Sequence, residues 1–296
     1  MATRLQIARK DILRTLDEHP SRVFRQRDIE AILEKNRNSW RLAQSTRRGA
    51  FIEYLTKSGK LKRLDFPFPF RKEIRYAWGE VPLHEALLTL KPDCHFSHYT
   101  AVQMHELTEQ DPKTIYLNFE QPAKAAAAGR LEQGRIDLAF ARKPRVTSNV
   151  ARFGEVRICL LNGKNTGYLG IETLEIDTER GLRKLAVRVT DIERTLIDIA
   201  VRPFYAGGTG EVLKAYERAG SRASVNRLAA LLSQLKYVYP YHQAVGFYLE
   251  RSGAFNPSTI DLFRGKFAYE FDFYLTYEMK KTRYDARWRL HVPVGM

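Results

Sequence analysis

The sequence predicts an α+β protein in which an N-terminal winged helix-turn-helix domain is followed by a larger mixed α/β domain. Three observations indicate this architecture. The chain has 296 residues, enough for two domains of ordinary size. Its first 80 residues follow the pattern helix, strand, helix, helix and hairpin, and they contain 19 Lys and Arg against 10 Asp and Glu. We therefore expect the first domain at residues 1–80 and the second at residues 81–296.

The composition excludes several classes of protein. Hydrophobic residues make up 44% and charged residues 28% of the chain, which is typical of a folded globular protein. The two cysteines, Cys94 and Cys159, are too few for a disulfide scaffold and favour a reducing compartment. No secretory signal is recognisable, and no apolar stretch approaches the roughly 18 residues of a membrane span. We expect a cytoplasmic protein with no cofactor and no membrane partner.

The charge indicates a polyanionic partner. The chain has 49 Lys and Arg against 34 Asp and Glu, a formal net charge of +15, and more than half of the excess lies in residues 1–80. Positive charge concentrated in one segment is typical of proteins that bind nucleic acid. Solvated helix faces are the alternative explanation.

Apolar spacing predicts three helices in the first domain. Apolar residues recur at helical intervals over residues 4–18 and again over residues 27–35, with an extended piece between them. A third helix is predicted from Trp40 to about Lys57, because Asn38 or Ser39 is available as its N-cap.

Two strands are predicted after these helices, at residues 60–66 and 71–78, around the turn Pro67-Phe68-Pro69-Phe70. Ile74, Tyr76 and Trp78 occupy alternate positions, as in a strand with one buried face. The complete order is that of a winged helix, whose third helix enters the major groove of DNA and whose hairpin, the wing, follows the phosphates.

The side chains expected to contact DNA are polar and basic. On a continuous third helix, Trp40 and Phe51 face the core, while Arg41, Gln44, Ser45 and Arg48 share a neighbouring arc. Arg, Gln and Ser are residue types that hydrogen-bond to base edges and phosphates. The expected contacts from the cap and the helix are Asn38, Ser39, Arg41, Gln44, Ser45, Arg47 and Arg48. The expected phosphate contacts from the wing are Lys60, Lys62, Arg63, Arg71, Lys72 and Arg75.

Beyond residue 80, short motifs follow one another in an informative order. Residues 96–101 read FSHYTA and residues 104–107 read MHEL, and the segment 189–198 reads VTDIERTLID. Together with the winged-helix pattern, these motifs resemble the AbiEi-type antitoxins of type IV toxin–antitoxin (abortive infection) systems. The family has a Gly where this chain has Glu106.

The resemblance implies a transcriptional autorepressor that binds inverted repeats in its own promoter through the N-terminal domain. It also implies that the C-terminal domain counters a nucleotidyltransferase-like toxin encoded alongside, without a stable complex between the two proteins. No catalysed reaction is expected. The motif residues of undetermined role are His98, His105, Glu193, Arg194 and Asp198.

These motif residues also have structural explanations. Thr190 and Glu193 have the spacing of a capping box, and Arg194 and Asp198 are four residues apart on one helix face. A contact between Arg194 and DNA or another partner stays open. His98 and His105 lack the accompanying spacing of a metal site, so no metal is expected.

Two other functions stay open. Asp272, Glu278 and Lys280 have residue types found in metal-dependent nucleases of the restriction-enzyme type, although their spacing is short. A winged helix also serves as a protein-interaction module. The aromatic and basic residues 267–290 fit either stacking on single-stranded nucleic acid or a charge-protected sheet edge.

Overall fold

A computed structural model of the protein describes residues 3–123, 131–178 and 184–296. It shows an α+β chain that divides into two compact units. The first unit comprises Met1–Pro92 with Ala151–Gly154 and Asp177–Leu185, and the second comprises the remainder. The predicted boundary at residue 80 lies earlier in the chain than Pro92. No helix in the described ranges has the length and apolar character needed to cross a membrane.

The first unit begins with the predicted order of elements. Its helices and strands are α1 (Arg4–Ile7), α2 (Arg9–Asp17), β1 (Val23–Phe24), α3 (Gln26–Asn36), α4 (Arg48–Lys57), β2 (Leu61–Pro67), β3 (Lys72–Trp78) and α5 (Leu83–Leu88). The three strands form an antiparallel sheet in the order β1-β3-β2, with Val23 opposite Ala77 and Leu61 opposite Trp78.

The core of this unit is formed by the apolar positions that the helical spacing selects. Ile12 and Leu16 of α2 and Ile29 and Leu33 of α3 are buried together with Phe51 of α4. Burying apolar side chains stabilises the fold by about 25 cal/mol per Å² of apolar surface removed from water, so this common core fixes the helices against the sheet.

The second unit combines a mixed sheet with a helical layer. From His95 onward the strands and helices are β4 (His95–Phe96), α6 (His98–Met104), β5 (Thr114–Glu120), α7 (Gln133–Phe140), β6 (Val150–Phe153), β7 (Val156–Gly163), β8 (Ile171–Asp177), β9 (Lys184–Thr190), α8 (Ile192–Val201), α9 (Thr209–Ala219), α10 (Val225–Leu235), α11 (Tyr241–Arg251), α12 (Pro257–Gly265), β10 (Phe273–Tyr274), β11 (Thr282–Asp285) and β12 (Leu290–Pro293). Of these, β6 after Val150, the last residue of β8 and the first two residues of β9 belong to the first unit. The four inner strands of the six-stranded sheet have the order β7-β5-β4-β9. β5 is parallel to β7 and antiparallel to β4, which is parallel to β9.

The centre of the second unit is α8, which packs against α6, α9, α10 and α11. Every residue from Glu193 to Val201 is buried. A helix buried on all sides must satisfy its polar side chains internally, because they have no access to water. A separate three-stranded sheet of order β10-β12-β11 lies near the C-terminus and packs one face on the same core.

Candidate nucleic-acid interface

A turn held by side-chain hydrogen bonds joins α3 to α4 in the first unit. The buried Arg37 guanidinium donates hydrogen bonds to the carbonyl oxygens of Ala43 (2.7 Å) and Thr46 (3.1 Å). Its Nε also donates to the Glu34 carboxylate at 3.0 Å. The side chain of Trp40 is buried in the core of the unit. These contacts hold residues 37–46 in one compact conformation.

The prediction of a third helix from Trp40 is wrong over its first half. The helix begins at Arg48, with Arg47 as N-cap, and Arg41 has a φ of 52° that lies outside the right-handed helical region. The physical reason is that the Arg37 guanidinium donates hydrogen bonds to carbonyl oxygens of this segment, which holds the segment in a compact turn. The shared helical arc therefore does not exist. The expected DNA contacts that precede α4 are Asn38, Ser39, Arg41, Gln44, Ser45 and Arg47.

All six of these side chains are exposed at the surface of the first unit. Within the described ranges, Arg41 and Arg47 form no ion pair. Arg48 differs, because its guanidinium lies 2.8 Å from the Glu30 carboxylate and 40% of its side chain is exposed. The turn thus presents two guanidinium groups whose hydrogen-bond donors are available to an external anion or base edge.

The N-terminus of α4 is suited to a negatively charged partner. It has no acidic residue in its first turn and no side-chain cap, since Arg47 makes no capping hydrogen bond. Gly49 and Ala50 are exposed, and the space beside Gly49 is open. The unpaired N–H groups and the helix dipole favour an anion such as phosphate at this point.

The β2–β3 hairpin, which the sequence predicts to be a wing, is basic, but its cations have acidic neighbours. Lys60 pairs with Asp17, and Lys62 pairs with Glu80. Arg63 and Lys72 both lie 3.0 Å from the Asp65 carboxylate. The hydrogen bonds from Arg63 and Lys72 lower the pKa of Asp65. All these pairs are solvent-exposed, so each contributes little to stability and opens readily for a stronger anion.

Arg75 is a correction to the expected phosphate contacts, because it is only 3% exposed. Its guanidinium donates to the carbonyl oxygens of Thr89 (2.8 Å) and Leu90 (3.1 Å) and lies 3.2 Å from the Glu73 carboxylate. The predicted alternation assumed one solvent-facing side of the strand, whereas the chain after α5 covers that side. Arg75 is therefore a structural residue, and the other five wing cations stay candidates: Lys60, Lys62, Arg63, Arg71 and Lys72.

The tip of the β2–β3 hairpin contains an exposed aromatic residue that the sequence analysis does not identify. Phe70 is 76% exposed, whereas Phe68 in the same turn is buried. The neighbouring Arg71 side chain is 78% exposed and lies 3.7 Å from the Glu73 carboxylate. The Pro-Phe-Pro-Phe sequence was the available signal, since a rigid turn of this kind leaves one of two aromatic rings without a core position.

The motif on α8 forms a buried network. The predicted pair is confirmed, with Arg194 Nε 2.8 Å from Asp198 Oδ1, and a second Arg194 donor meets the Leu169 carbonyl oxygen at 2.6 Å. Burial alone lowers the pKa of Arg194, but Asp198 raises it above its ordinary value. With a residue exposure of 5%, Arg194 is not accessible to DNA or another partner.

The predicted capping box at the start of α8 is wrong. Asp191 is the N-cap, and its carboxylate accepts the Arg194 backbone N–H at 2.7 Å. Glu193 instead accepts the backbone N–H of Ser224 at 2.8 Å, and Arg227 lies beside both carboxylates. The cap lies one residue later than predicted because β9 continues through Thr190. Glu193 therefore joins α8 to the start of α10.

The two motif histidines are buried in different places. His98 is the first residue of α6, and its Nδ1 lies 2.9 Å from the hydroxyl of Ser97, which is the N-cap. Burial lowers the pKa of His98 to about 4. His105 ends the helix, and its Nε2 donates to the Thr190 carbonyl oxygen at 2.6 Å. The two rings therefore make separate hydrogen bonds in the core.

The residues of the nuclease alternative do not form a metal site. Asp272 accepts hydrogen bonds from Tyr284 (2.7 Å) and Arg289 (2.9 Å), and these contacts lower its pKa. Glu278 and Lys280 line an open groove that Asp272 does not line. Across the described ranges, no three His, Cys, Asp or Glu side chains are grouped so that they could hold a metal ion.

Comparisons with known proteins give a relationship of fold. No protein-family model matches the chain, and no curated protein matches it. A crystal structure of the RV2827C protein from Mycobacterium tuberculosis is similar to it, with a TM-score of 0.60 at 16% sequence identity. The match covers 97% of this chain and 91% of the other. The chain therefore shares a fold with that protein over nearly its whole length.

Proposed function

We propose that the first unit is a winged helix-turn-helix and that the protein is a DNA-binding repressor of its own promoter. One observation carries this proposal, the arrangement of the first unit. Helix, strand, helix, turn and helix are followed by a hairpin, and the three strands form a sheet of order β1-β3-β2. Exposed cations lie on the turn and on the hairpin. In the winged-helix arrangement the helix after the turn enters the major groove. Here that helix is α4.

In the proposed complex, sequence recognition comes from the turn and the first residues of α4. Arg41 and Arg47 are the turn residues whose guanidinium groups have no ion-pair partner among the described residues, and each can bind two acceptors of one guanine. Gln44 suits an adenine edge in the same way. The wing cations supply phosphate contacts, which give affinity without base preference. Repression is steric, and no reaction is catalysed.

The antitoxin role is proposed on the resemblance to the AbiEi-type family. The repressor would bind inverted repeats in the cytoplasm and counter a nucleotidyltransferase-like toxin encoded alongside, without a stable complex. Co-expression with the neighbouring gene tests this role. We expect growth arrest by the neighbour alone, rescue by the full chain, and no co-purification of the two proteins. Arrest that the full chain does not relieve contradicts the antitoxin role.

The repressor role is tested with the full chain and duplex DNA from immediately upstream of its gene. We expect tight binding that prefers this DNA over a random duplex and a steep loss of affinity with salt. Arg37→Ala should weaken the preference, because the turn that presents Arg41 and Arg47 loses its internal hydrogen bonds. Arg14→Ala, an exposed arginine on α2, is the matched control and should bind as the unmodified chain does.

Three outcomes would overturn the repressor role. Equal affinity for both duplexes would mean that the basic surface attracts DNA only nonspecifically. Failure to bind any duplex together with a stable protein complex would favour a protein-interaction module. Nicking of DNA that requires Mg²⁺ and is lost in Lys280→Ala would favour the nuclease.

A further inference from the structure

A stack of aromatic rings extends from the core of the second unit to its surface. Phe140, which is 3% exposed, stacks on Tyr277 (centroid distance 4.4 Å) and on Tyr274 (5.7 Å). Tyr274 stacks on His291 at 4.9 Å, and His291 contacts Tyr284 at 5.1 Å. Tyr284 is 46% exposed. The stack therefore ends in an aromatic ring that faces solvent.

The small sheet explains why the last three rings are neighbours. Tyr274 of β10 and Tyr284 of β11 are both directly opposite His291 of the central strand β12. Directly opposite residues share one face of a sheet. The alternate residues Leu290 and Val292 are fully buried in the core. One face of the sheet therefore packs inward, and the other presents the three rings in a row.

Hydrogen bonds hold these rings in place. The Tyr274 hydroxyl donates to Asp137 at 3.1 Å, and the Tyr284 hydroxyl donates to Asp272 at 2.7 Å. Asp272 also pairs with Arg289 at 2.9 Å. Two nearby carboxylates are thereby used to orient the rings, and a ring fixed in advance loses little conformational freedom when a ligand stacks on it.

A groove and two lysines lie beside the rings. The groove has a volume of about 640 Å³, and its lining includes Tyr274, His291, Lys280 and the carboxylates of Asp137 and Glu278. Lys280 and the adjacent Lys281 are exposed, and neither forms an ion pair within the described ranges. This face therefore combines flat aromatic surface with positive charge at one side.

We propose that this face binds single-stranded nucleic acid. An unpaired base presents a flat face that stacks on an aromatic ring, whereas the bases of a duplex are already stacked on one another. Tyr284 supplies the outermost stacking surface, His291 the next one, and Lys280 and Lys281 contact the phosphates. This activity belongs to the second unit and does not depend on duplex recognition by the first.

The test measures binding of the full chain to labelled oligothymidylate and oligouridylate of about 12 nucleotides, a length within the site sizes of such surfaces. Tyr284→Leu keeps an apolar side chain but removes the ring, and it should weaken binding about fivefold to hundredfold. Tyr168→Leu removes another exposed ring of the second unit and is the matched control, with no expected change. Lys281→Ala should reduce the salt dependence of binding.

Each other outcome separates this proposal from its alternatives. Single-strand affinity that is unchanged in Tyr284→Leu, or equally lowered in Tyr168→Leu, overturns it. A nucleoside monophosphate that binds as tightly as the oligonucleotide, with the same loss in Tyr284→Leu, identifies a nucleotide pocket and overturns the strand proposal. Tyr284→Leu should retain full duplex binding, and Arg41→Ala should retain full single-strand binding, so the two proposed interfaces fail separately.

Discussion

The turn before α4 and the helix α8 use the same residue types in opposite ways. Arg41 and Arg47 lie in an exposed turn and form no ion pair within the described ranges. Arg194 is buried and directs its donors to Asp198 and to the Leu169 carbonyl oxygen. An arginine with unused donors is available to a partner, whereas one whose donors are satisfied inside the core stabilises the fold. The residue type alone does not distinguish the two.

The replacement of Arg194 should have the largest effect, a loss in the free energy of unfolding. Arg194→Met leaves Asp198 buried without its cation, and removing one partner of a buried pair costs about 3–5 kcal/mol of the free energy of unfolding. Arg188→Met is the matched control in the same unit. Arg188 pairs with Asp93 at the surface (3.0 Å), so the control should lose under about 1 kcal/mol. Urea unfolding of both variants checks the difference.

An equal loss in both variants would contradict this contrast. The α8 network would then not be required for folding, and a direct functional role for Arg194 would have to be reconsidered. Asp198→Asn combined with Arg194→Met sharpens the test, because a neutral amide in place of the orphaned carboxylate should restore part of the lost stability.

Acid should weaken the second unit through its buried histidines. Burial lowers the pKa of His95 and His98 to about 4, below the value of about 6.5 in an unfolded chain. Between these values the unfolded chain binds the protons and the folded chain does not, so the free energy of unfolding falls as the pH decreases. The slope is at most about 1.4 kcal/mol per pH unit for each histidine.

Urea midpoints measured from pH 7 to pH 4.5 test this prediction. The double variant His95→Asn/His98→Asn should show a shallower decline over that interval, since its remaining pH dependence comes from other groups. Identical slopes in the variant and the unmodified chain would mean that the two rings are protonated as readily in the folded state as in the unfolded one.

Local patterns predicted the parts of this fold that depend on nearest neighbours. The apolar spacing that placed Ile12 and Leu16 in the core is confirmed, as is the i,i+4 pair of Arg194 and Asp198. Both depend only on helical periodicity, which the sequence displays directly.

Contacts that extend beyond one helical turn account for the errors at α4 and at Arg75. Helical periodicity gives no sign that the Arg37 guanidinium binds the carbonyl oxygens of Ala43 and Thr46, so the sequence predicts a helix where the structure has a turn. Strand alternation predicts Arg75 at the surface, but Thr89 and Leu90, which follow α5, cover it. The ring stack from Phe140 to Tyr284 could not be predicted from the sequence for the same reason, since it joins α7 to the C-terminal sheet.

Base preference should depend on the exposed side chains of the turn before α4. Arg41→Ala is expected to reduce discrimination between the upstream DNA and a mutated site by about 1–3 kcal/mol if the guanidinium binds two acceptors of a guanine. The effect in Arg48→Ala should be smaller, because Glu30 already engages that side chain. Competition binding with single-base variants of the site measures both, with Arg14→Ala as the control. Equal loss of affinity for specific and random DNA in Arg41→Ala would indicate that Arg41 contacts a phosphate and not a base.

The smallest expected effect concerns the wing. Lys62→Ala or Arg71→Ala should weaken binding to every duplex alike and reduce the slope of log affinity against log salt by about one, because one phosphate contact is lost. Asp65→Asn should act in the opposite direction, since it releases Arg63 and Lys72 from their shared carboxylate and so makes two cations available to phosphates. A salt series on a random duplex measures all three variants. An unchanged slope in Lys62→Ala and Arg71→Ala would remove both from the phosphate contacts and leave Lys60, Arg63 and Lys72 as the candidates on the hairpin.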